Sequence, residues 1–165
     1  GPMVTPFMPD NSNDSCFAVS GTVSNQMWPV FLSVPDLRAD FWVLMFGVNN
    51  GFNYGERTGT MNFVHGFHDR NPQSTVCVIN GLRYSEVNPW RNYYESSLIS
   101  YNKMVEDSLA ELRNRGWKAF VVDAYTAFSR DSVLDTTLMD PGDYYLHPNQ
   151  KGYEVMGKLV WEKLK

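Results

Sequence analysis

The sequence predicts an α/β fold, a three-layer sandwich around a mainly parallel sheet. Three short apolar runs typical of buried strands, at residues 40–48, 75–79 and 117–122, alternate with segments whose apolar residues recur at helical spacing. Each of the first two runs ends in Asn and Gly residues, which break strands. Strands that alternate with helices indicate a parallel sheet whose strands are joined by right-handed crossovers.

The N-terminal part begins with an irregular arm, residues 1–15, which is rich in Pro, Asn, Asp and Ser. Its first residues, Gly1-Pro2-Met3, match the scar of a cleaved expression tag, so a signal or a longer N-terminal region could have been removed. A first strand is predicted at residues 16–19, and a helix near residues 25–34, with Pro29 limiting its start. The α/β domain is predicted to span residues 16–165.

The run at residues 40–48 is the strongest strand, and its continuous apolar character suits a strand covered on both faces. Helices are predicted at about residues 57–69 and 97–115, the second ending at a glycine C-cap. A variable region, residues 124–142, precedes a histidine loop and a final amphipathic helix.

Composition excludes some classes of partner. The formal net charge is −4 and no block of basic residues accompanies it, so nucleic acid is not an expected partner. No apolar run approaches the roughly 18 residues of a membrane span, so no membrane partner is expected either. Cys16 and Cys77 lie in strand-like runs and are predicted to be buried thiols. The compartment stays open, with secretion slightly favoured over the cytoplasm.

The chemistry is expected to centre on His147. Asp143 and Asp140 precede it, and a carboxylate near an imidazole can fix its tautomer and stabilise its charged form. Pro148 holds His147 out of helical geometry, just ahead of the last helix. The alternative is an acidic loop that simply precedes an amphipathic helix.

Two further residues fit the stabilisation of an oxyanion. Asn49 follows the strongest strand, where its side-chain amide could face a developing negative charge, and Gly21 could add a backbone N–H. Ligands gather at the carboxyl ends of parallel strands, so these residues and His147 should share one rim of the sheet. Asn and Gly are also ordinary turn residues, which is the alternative explanation for both.

Taken in order, these segments resemble the SGNH (GDSL-type) hydrolase family. Val19-Ser20-Gly21-Thr22 resembles its second block, and Gly47-Val48-Asn49-Asn50 resembles the third, Gly-x-Asn-Asp, with Asn50 in place of Asp. The segment from Asp143 to His147, with Pro148-Asn149 and Gly152-Tyr153, resembles the fifth block. The resemblance implies a flavodoxin-like α/β fold, Gly21 and Asn49 as the oxyanion hole, and His147 with an acidic partner as catalytic residues.

The sequence departs from this family in two ways. The family's acid lies three residues before the histidine, where this chain has Tyr144. Asp143 is one position earlier, Asp140 is the other candidate, and a backbone carbonyl that orients His147 is the remaining alternative. The family's first block, Gly-Asp-Ser-Leu with the serine nucleophile, is not found. Ser15, Ser20 and Ser24 are the nearby serines, and none stands in the expected position. Three explanations stay open. The chain could be permuted or split, with another chain segment supplying the first block, or the 16–19 strand could take the central place in the sheet. The chain could also be a degenerate family member that binds a ligand without cleaving it.

The resemblance implies an esterase that cleaves a small ester, with an acetyl group on a carbohydrate favoured, through a serine acyl-enzyme and without a metal or organic cofactor. Trp90, Tyr93 and Tyr94 follow a strand on the same rim and are expected either to line an acyl or sugar pocket or to pack on the long helix. The alternative function is a non-catalytic ligand-binding module. Metal binding by His65 and His68 lacks a third ligand nearby.

Overall fold

The structure, a computed structural model, describes residues 21–165. The predicted irregular arm (residues 1–15) and the predicted strand at residues 16–19 lie outside the described residues. The described chain forms an α/β fold with a parallel three-stranded sheet in the order β1-β2-β3.

The sheet is built from β1 (Phe41–Leu44), β2 (Thr75–Ile79) and β3 (Lys118–Val122). β2 is central, with Phe41 aligned to Thr75 on one side and Thr75 aligned to Lys118 on the other. All three strands therefore point their carboxyl ends to the same edge, as the alternating pattern of the sequence predicts.

Among residues 21–165, five α-helices flank the sheet. They are α1 (Ser24–Leu32), α2 (Tyr54–Arg70), α3 (Arg91–Asn114), α4 (Ala124–Ala127) and α5 (Gln150–Leu164). A short antiparallel pair, β4 (Ser129–Arg130) and β5 (Val133–Leu134), lies in the predicted variable region.

The side chains of β2 alternate between two hydrophobic cores. Val76 and Val78 pack with α1, α2 and α3, whereas Cys77 and Ile79 pack with the segment from α4 to α5. Such alternation follows from the period of two in a strand, and it gives the three layers that the sequence predicts. Cys77 is fully buried and its thiol is free.

β1 differs from the prediction of a strand covered on both faces. Trp42 and Leu44 are buried, but Phe41 and Val43 are 51% and 47% exposed. The reason is that α5 packs mainly over β2 and β3, which leaves these two side chains of β1 partly open to solvent. The strand also ends earlier than predicted, at Leu44, and the chain leaves extended geometry by Gly47, which has a φ of 120°.

Two helices begin earlier than the sequence predicts. α2 begins at Tyr54 because the side chain of Asn53 accepts the backbone N–H of Glu56 as an N-cap. α3 begins at Arg91, where Asn88 accepts the N–H of Trp90 just before the first turn. Pro29, which was expected to limit the start of α1, lies inside that helix.

Candidate active site

A cavity of about 220 Å³ opens at the carboxyl edge of the sheet. Segments from three parts of the chain line it: residues 45–49 after β1, residues 82–84 after β2, and residues 146–148 before α5. The predicted loops after β1 and β2 and the loop of His147 share this rim, whereas Gly21 and the loop after β3 are not part of the cavity lining. His147 and Asn49 both line this cavity, so two of the predicted site residues come together there.

The lining of the cavity is mostly apolar with a few polar groups. Met27, Phe46, Phe52, Leu82, Leu146 and Met156 supply apolar surface, and Asn49, Arg83, Tyr84, His147 and Tyr153 supply polar atoms. The volume lies below the roughly 300–1,000 Å³ of sites for drug-sized ligands, which suits a small substituent.

Asp143, rather than Asp140, is the acidic residue whose carboxylate contacts the imidazole of His147. Oδ2 of Asp143 contacts Nδ1 of the imidazole. The same carboxylate accepts the backbone N–H groups of Leu146 at 3.0 Å and His147 at 3.2 Å. Partial burial raises the pKa of Asp143, but the hydrogen bonds from His147 and Leu146 outweigh it and hold that pKa below its usual value.

Asp140 has a structural role at the start of this loop. Its Oδ1 accepts the N–H of Gly142 at 2.8 Å, and its own N–H donates to the carbonyl of His147 at 2.8 Å. The loop is thus closed at both ends, and the backbone of His147 is fixed independently of its ring.

The extra residue between the acid and the histidine is accommodated by an unusual backbone. Tyr144 and Tyr145 both have a φ of 59°, in the left-handed region that non-glycine residues rarely adopt. Two successive left-handed residues turn the chain sharply, so Asp143 reaches the imidazole although it lies one position earlier than in the family's motif.

Two buried residues hold this turn, and neither is predicted as a site residue from the sequence. Ser85 donates its hydroxyl to the carbonyl of Tyr144 at 2.9 Å, and the amide of Asn88 approaches the same oxygen at 3.4 Å. Both follow β2 in a stretch that reads as an ordinary loop. The only sign of their role is that both polar side chains are buried, which the structure shows and the sequence does not.

The Pro-Asn-x-x-Gly run after His147 has a clear local reason. Asn149 caps α5 by accepting the N–H of Gly152 at 3.0 Å, and its amide donates to the carbonyls of Thr137 and Met139. A Cβ on Gly152 would lie 2.2 Å from the carbonyl oxygen of Leu138, so only glycine fits. These contacts fasten the start of α5, and with it His147, to the preceding loop.

Asn49 stands in a 3₁₀ turn, Val48–Asn50, directly after Gly47. Its Nδ2 donates to the carbonyl of Thr22 at 2.9 Å, which brings the Gly21 segment beside Asn49. A primary amide carries two N–H groups, so one such bond leaves a second donor on Asn49. Gly21 itself has a φ of 74° and is exposed; its role in an oxyanion hole stays a prediction.

The nucleophile is not identified by the described residues. Ser15 and Ser20 lie outside them. Ser24 is buried at the start of α1, where its N–H donates to the carboxylate of Glu56 and its side chain packs against Gly59, and it does not line the cavity. Cys77 also lies away from the cavity, and burial raises the pKa of its thiol to about 11.

The other site predictions have different outcomes. Trp90, Tyr93 and Tyr94 do not line the cavity; Tyr94 packs its ring over Gly51, and Trp90 lies edge-on to Tyr144. His65 and His68 both pack against Trp117, with the ring of His68 stacked on the indole at 3.4 Å.

Within residues 21–165, no group of three His, Cys, Asp or Glu side chains could hold a metal ion. None of the described helices is long and apolar enough to cross a membrane.

Solved structures share this fold. A Streptococcus pneumoniae protein provisionally described as a platelet activating factor aligns with a TM-score of 0.67 at 13% identity, covering 88% of this chain and 69% of that one. The Clostridium thermocellum family 3 carbohydrate esterase aligns with a TM-score of 0.59 at 19% identity, covering 87% of this chain and 65% of that one. The chain thus spans about two thirds of the length of each.

The comparison with curated proteins gives no match. The model of the GDSL-like lipase/acylhydrolase family matches residues 7–155, which is most of the chain and includes the loop of His147 and the turn of Asn49. This match agrees with the sequence motifs and with the fold. The chain belongs to the GDSL-like lipase/acylhydrolase family.

Proposed function

We propose that this chain is an ester hydrolase that cleaves a small ester, with an acetyl ester on a carbohydrate favoured, through a serine acyl-enzyme in which His147 is the base. The observation that carries the proposal is the contact between Nδ1 of His147 and Asp143 at the rim of a small cavity that Asn49 also lines. When Nδ1 donates its proton to the carboxylate, Nε2 is left as an acceptor for a hydroxyl proton.

The reaction follows from these roles. A serine Oγ attacks the ester carbonyl while Nε2 of His147 takes its proton, and the imidazolium is stabilised by Asp143. The tetrahedral intermediate collapses when the alkoxide leaves with that proton. Water then attacks the acyl-enzyme, again losing a proton to His147, and the carboxylic acid and the free serine are released. No metal or organic cofactor takes part in these steps.

The stabilisation of the negative charge on the tetrahedral intermediate is assigned to the side-chain amide of Asn49 and the backbone N–H of Gly21. The neighbouring position of Asn49 and the Gly21–Thr22 segment supports this assignment. One well-placed donor of this kind typically contributes about 3–4 kcal/mol to the stabilisation of the transition state.

The serine is proposed to come from the N-terminal residues before Gly21 or from another chain segment that supplies the family's first block. Ser15 and Ser20 are the candidates in this chain. The free edge of β1 among the described residues lies beside the turn of Asn49, which is where an added strand would deliver a nucleophile.

The size of the cavity and the kinship of the fold support the substrate class. A cavity of about 220 Å³ holds a short acyl group better than a long chain. The structural neighbour from Clostridium thermocellum is a carbohydrate esterase, which makes an acetylated carbohydrate a natural first substrate to test.

A non-catalytic ligand-binding module on the same scaffold is the second candidate. One observation favours it: among residues 21–165, no serine lines the cavity. A pure binding site, however, has no need of a carboxylate paired with an imidazole.

Hydrolysis of 4-nitrophenyl acetate by the wild type and by His147→Ala separates the two functions. We expect the variant to lose nearly all of the wild-type rate, whereas His65→Ala, which removes an exposed histidine against Trp117, retains it. Equal rates for the wild type and His147→Ala would rule out the esterase mechanism.

A further inference from the structure

The surface beside the Asp143–His147 pair carries exposed aromatic side chains. Trp90 is 44% exposed and Tyr144 is 55% exposed, although both rings are large and apolar. Their ring centroids lie 6.4 Å apart and their planes meet at 87°. The two rings therefore form an open corner on the surface, which we call the aromatic corner.

The aromatic corner is held in place by contacts that a flexible loop would lack. The carbonyl of Tyr144 is bound by Ser85 and approached by Asn88, both of them buried. Asn88 also accepts the N–H of Trp90 at 3.0 Å, so one side chain fixes the backbone on both sides of the corner. Tyr144 keeps a strained left-handed backbone as a result.

The aromatic corner adjoins the candidate catalytic residues on both sides. Tyr144 directly follows Asp143, whose carboxylate contacts His147. Ser85 directly follows Tyr84, which lines the cavity. These two connections make the aromatic corner available to the alcohol portion of a substrate whose acyl group occupies the cavity.

The chemistry of the exposed side chains favours a sugar over an aliphatic alcohol. Trp and Tyr combine an apolar face with a polar atom, and such rings suit a pyranose, which has C–H groups on its faces and hydroxyls at its edge.

We infer that Trp90 and Tyr144 form a sugar-binding subsite that selects pyranose esters, stacking the ring of the substrate's alcohol portion while its acyl group enters the cavity. This inference rests on the proposed esterase function for its kinetic consequences, but the binding of the ring does not depend on turnover.

The test compares a sugar ester with an ester that has no sugar. We expect Trp90→Ala to lower kcat/KM for glucose pentaacetate about five- to tenfold more than for 4-nitrophenyl acetate. This factor is the range expected for the loss of one stacking contact, and it should arise mainly from a higher KM. Tyr144→Asn should act in the same direction, since asparagine tolerates the left-handed backbone while the ring is removed. Trp90→Phe should restore part of the preference. Circular dichroism checks that each variant is folded.

Tyr93→Ala is the matched control, because Tyr93 lies in the first turn of α3, three residues after Trp90, is 76% exposed and makes no ring contact with Trp90 or Tyr144. It should leave the ratio between the two substrates unchanged. An equal loss on both substrates in Trp90→Ala, or no loss on either, would overturn the subsite.

Calorimetric titration of glucose pentaacetate into His147→Ala, with and without Trp90→Ala, separates this inference from the esterase proposal. Binding that Trp90→Ala weakens, in a protein whose wild type hydrolyses no ester, would uphold the subsite and reject the esterase. Hydrolysis of both esters with an unchanged ratio in Trp90→Ala would uphold the esterase and reject the subsite.

Discussion

Oδ2 of Asp143 contacts Nδ1 of His147 across a turn in which two successive tyrosines have a left-handed backbone. The carboxylate also accepts two backbone N–H groups from the same loop. The backbone of the loop thus fixes the orientation of the carboxylate, and the carboxylate orients the imidazole. A separation of four residues is therefore compatible with a catalytic acid–histidine pair.

Replacing Asp143 should impair catalysis much more than replacing Asp140. In Asp143→Asn the imidazole loses the partner that fixes its tautomer, and we expect kcat for 4-nitrophenyl acetate to fall by about 10²–10⁴. Asp140→Asn keeps an oxygen that can accept the N–H of Gly142 and should change the rate by less than about threefold. Steady-state kinetics at neutral pH gives both values, and similar losses in the two variants would contradict the assignment.

The pH dependence of stability should report the same carboxylate. Since the pKa of Asp143 is lowered in the folded state, its stabilising contribution is present above its unfolded pKa of about 3.9 and is lost as pH falls through the folded value. The difference in urea midpoint between the wild type and Asp143→Asn should therefore shrink as pH is lowered from about 6 to about 3. A difference that stays constant over this range would show that the charge of Asp143 contributes nothing.

Asn49→Ala should reduce turnover without weakening the fold. The amide of Asn49 is exposed at the rim and makes one bond to the carbonyl of Thr22, so its loss leaves little buried polarity unpaired. If it stabilises the oxyanion, kcat should fall by about 10²–10³ with a small change in KM. The matched control is Asn50→Ala, one position further along the same exposed turn, which should stay near the wild-type rate. Equal rates for both variants would remove Asn49 from the oxyanion hole.

Gly47→Ala should destabilise the turn that carries Asn49. Gly47 has a φ of 120°, and an added Cβ would lie 2.3 Å from the ring of Phe52, so both backbone and packing oppose it. We expect a loss of at least about 2 kcal/mol in the free energy of unfolding. Gly157→Ala in α5 meets nothing within 4 Å and should instead stabilise the protein by about 0.5–1 kcal/mol. Denaturant titration of both variants tests the contrast; a neutral Gly47→Ala would refute this account of the turn.

Much of the fold could be predicted from the sequence because its signals are local. The apolar runs of β2 and β3 and the helical spacing of α3 and α5 each specify an element without reference to the rest of the chain. The partly exposed face of β1 could not be predicted in this way, since exposure there depends on how far α5 extends across the sheet.

The candidate site could likewise be predicted only in part from the sequence. His147 and Asn49 could be placed together because the carboxyl ends of parallel strands meet at one edge. The choice of Asp143 over Asp140 could not be made, because it depends on the left-handed turn at Tyr144 and Tyr145. The turn is held by a hydrogen bond from Ser85, which is far from it in sequence and is a residue type common in loops.

The most direct test of the central claim is labelling with a fluorophosphonate probe, followed by peptide mapping, in the wild type and in His147→Gln. The probe reacts with a serine only when a base activates its hydroxyl. The account predicts one labelled serine in the wild type and at least a tenfold slower reaction in His147→Gln. A wild type in which no serine reacts, or equal labelling of the two proteins, would contradict the claim that His147 is the base of a serine esterase.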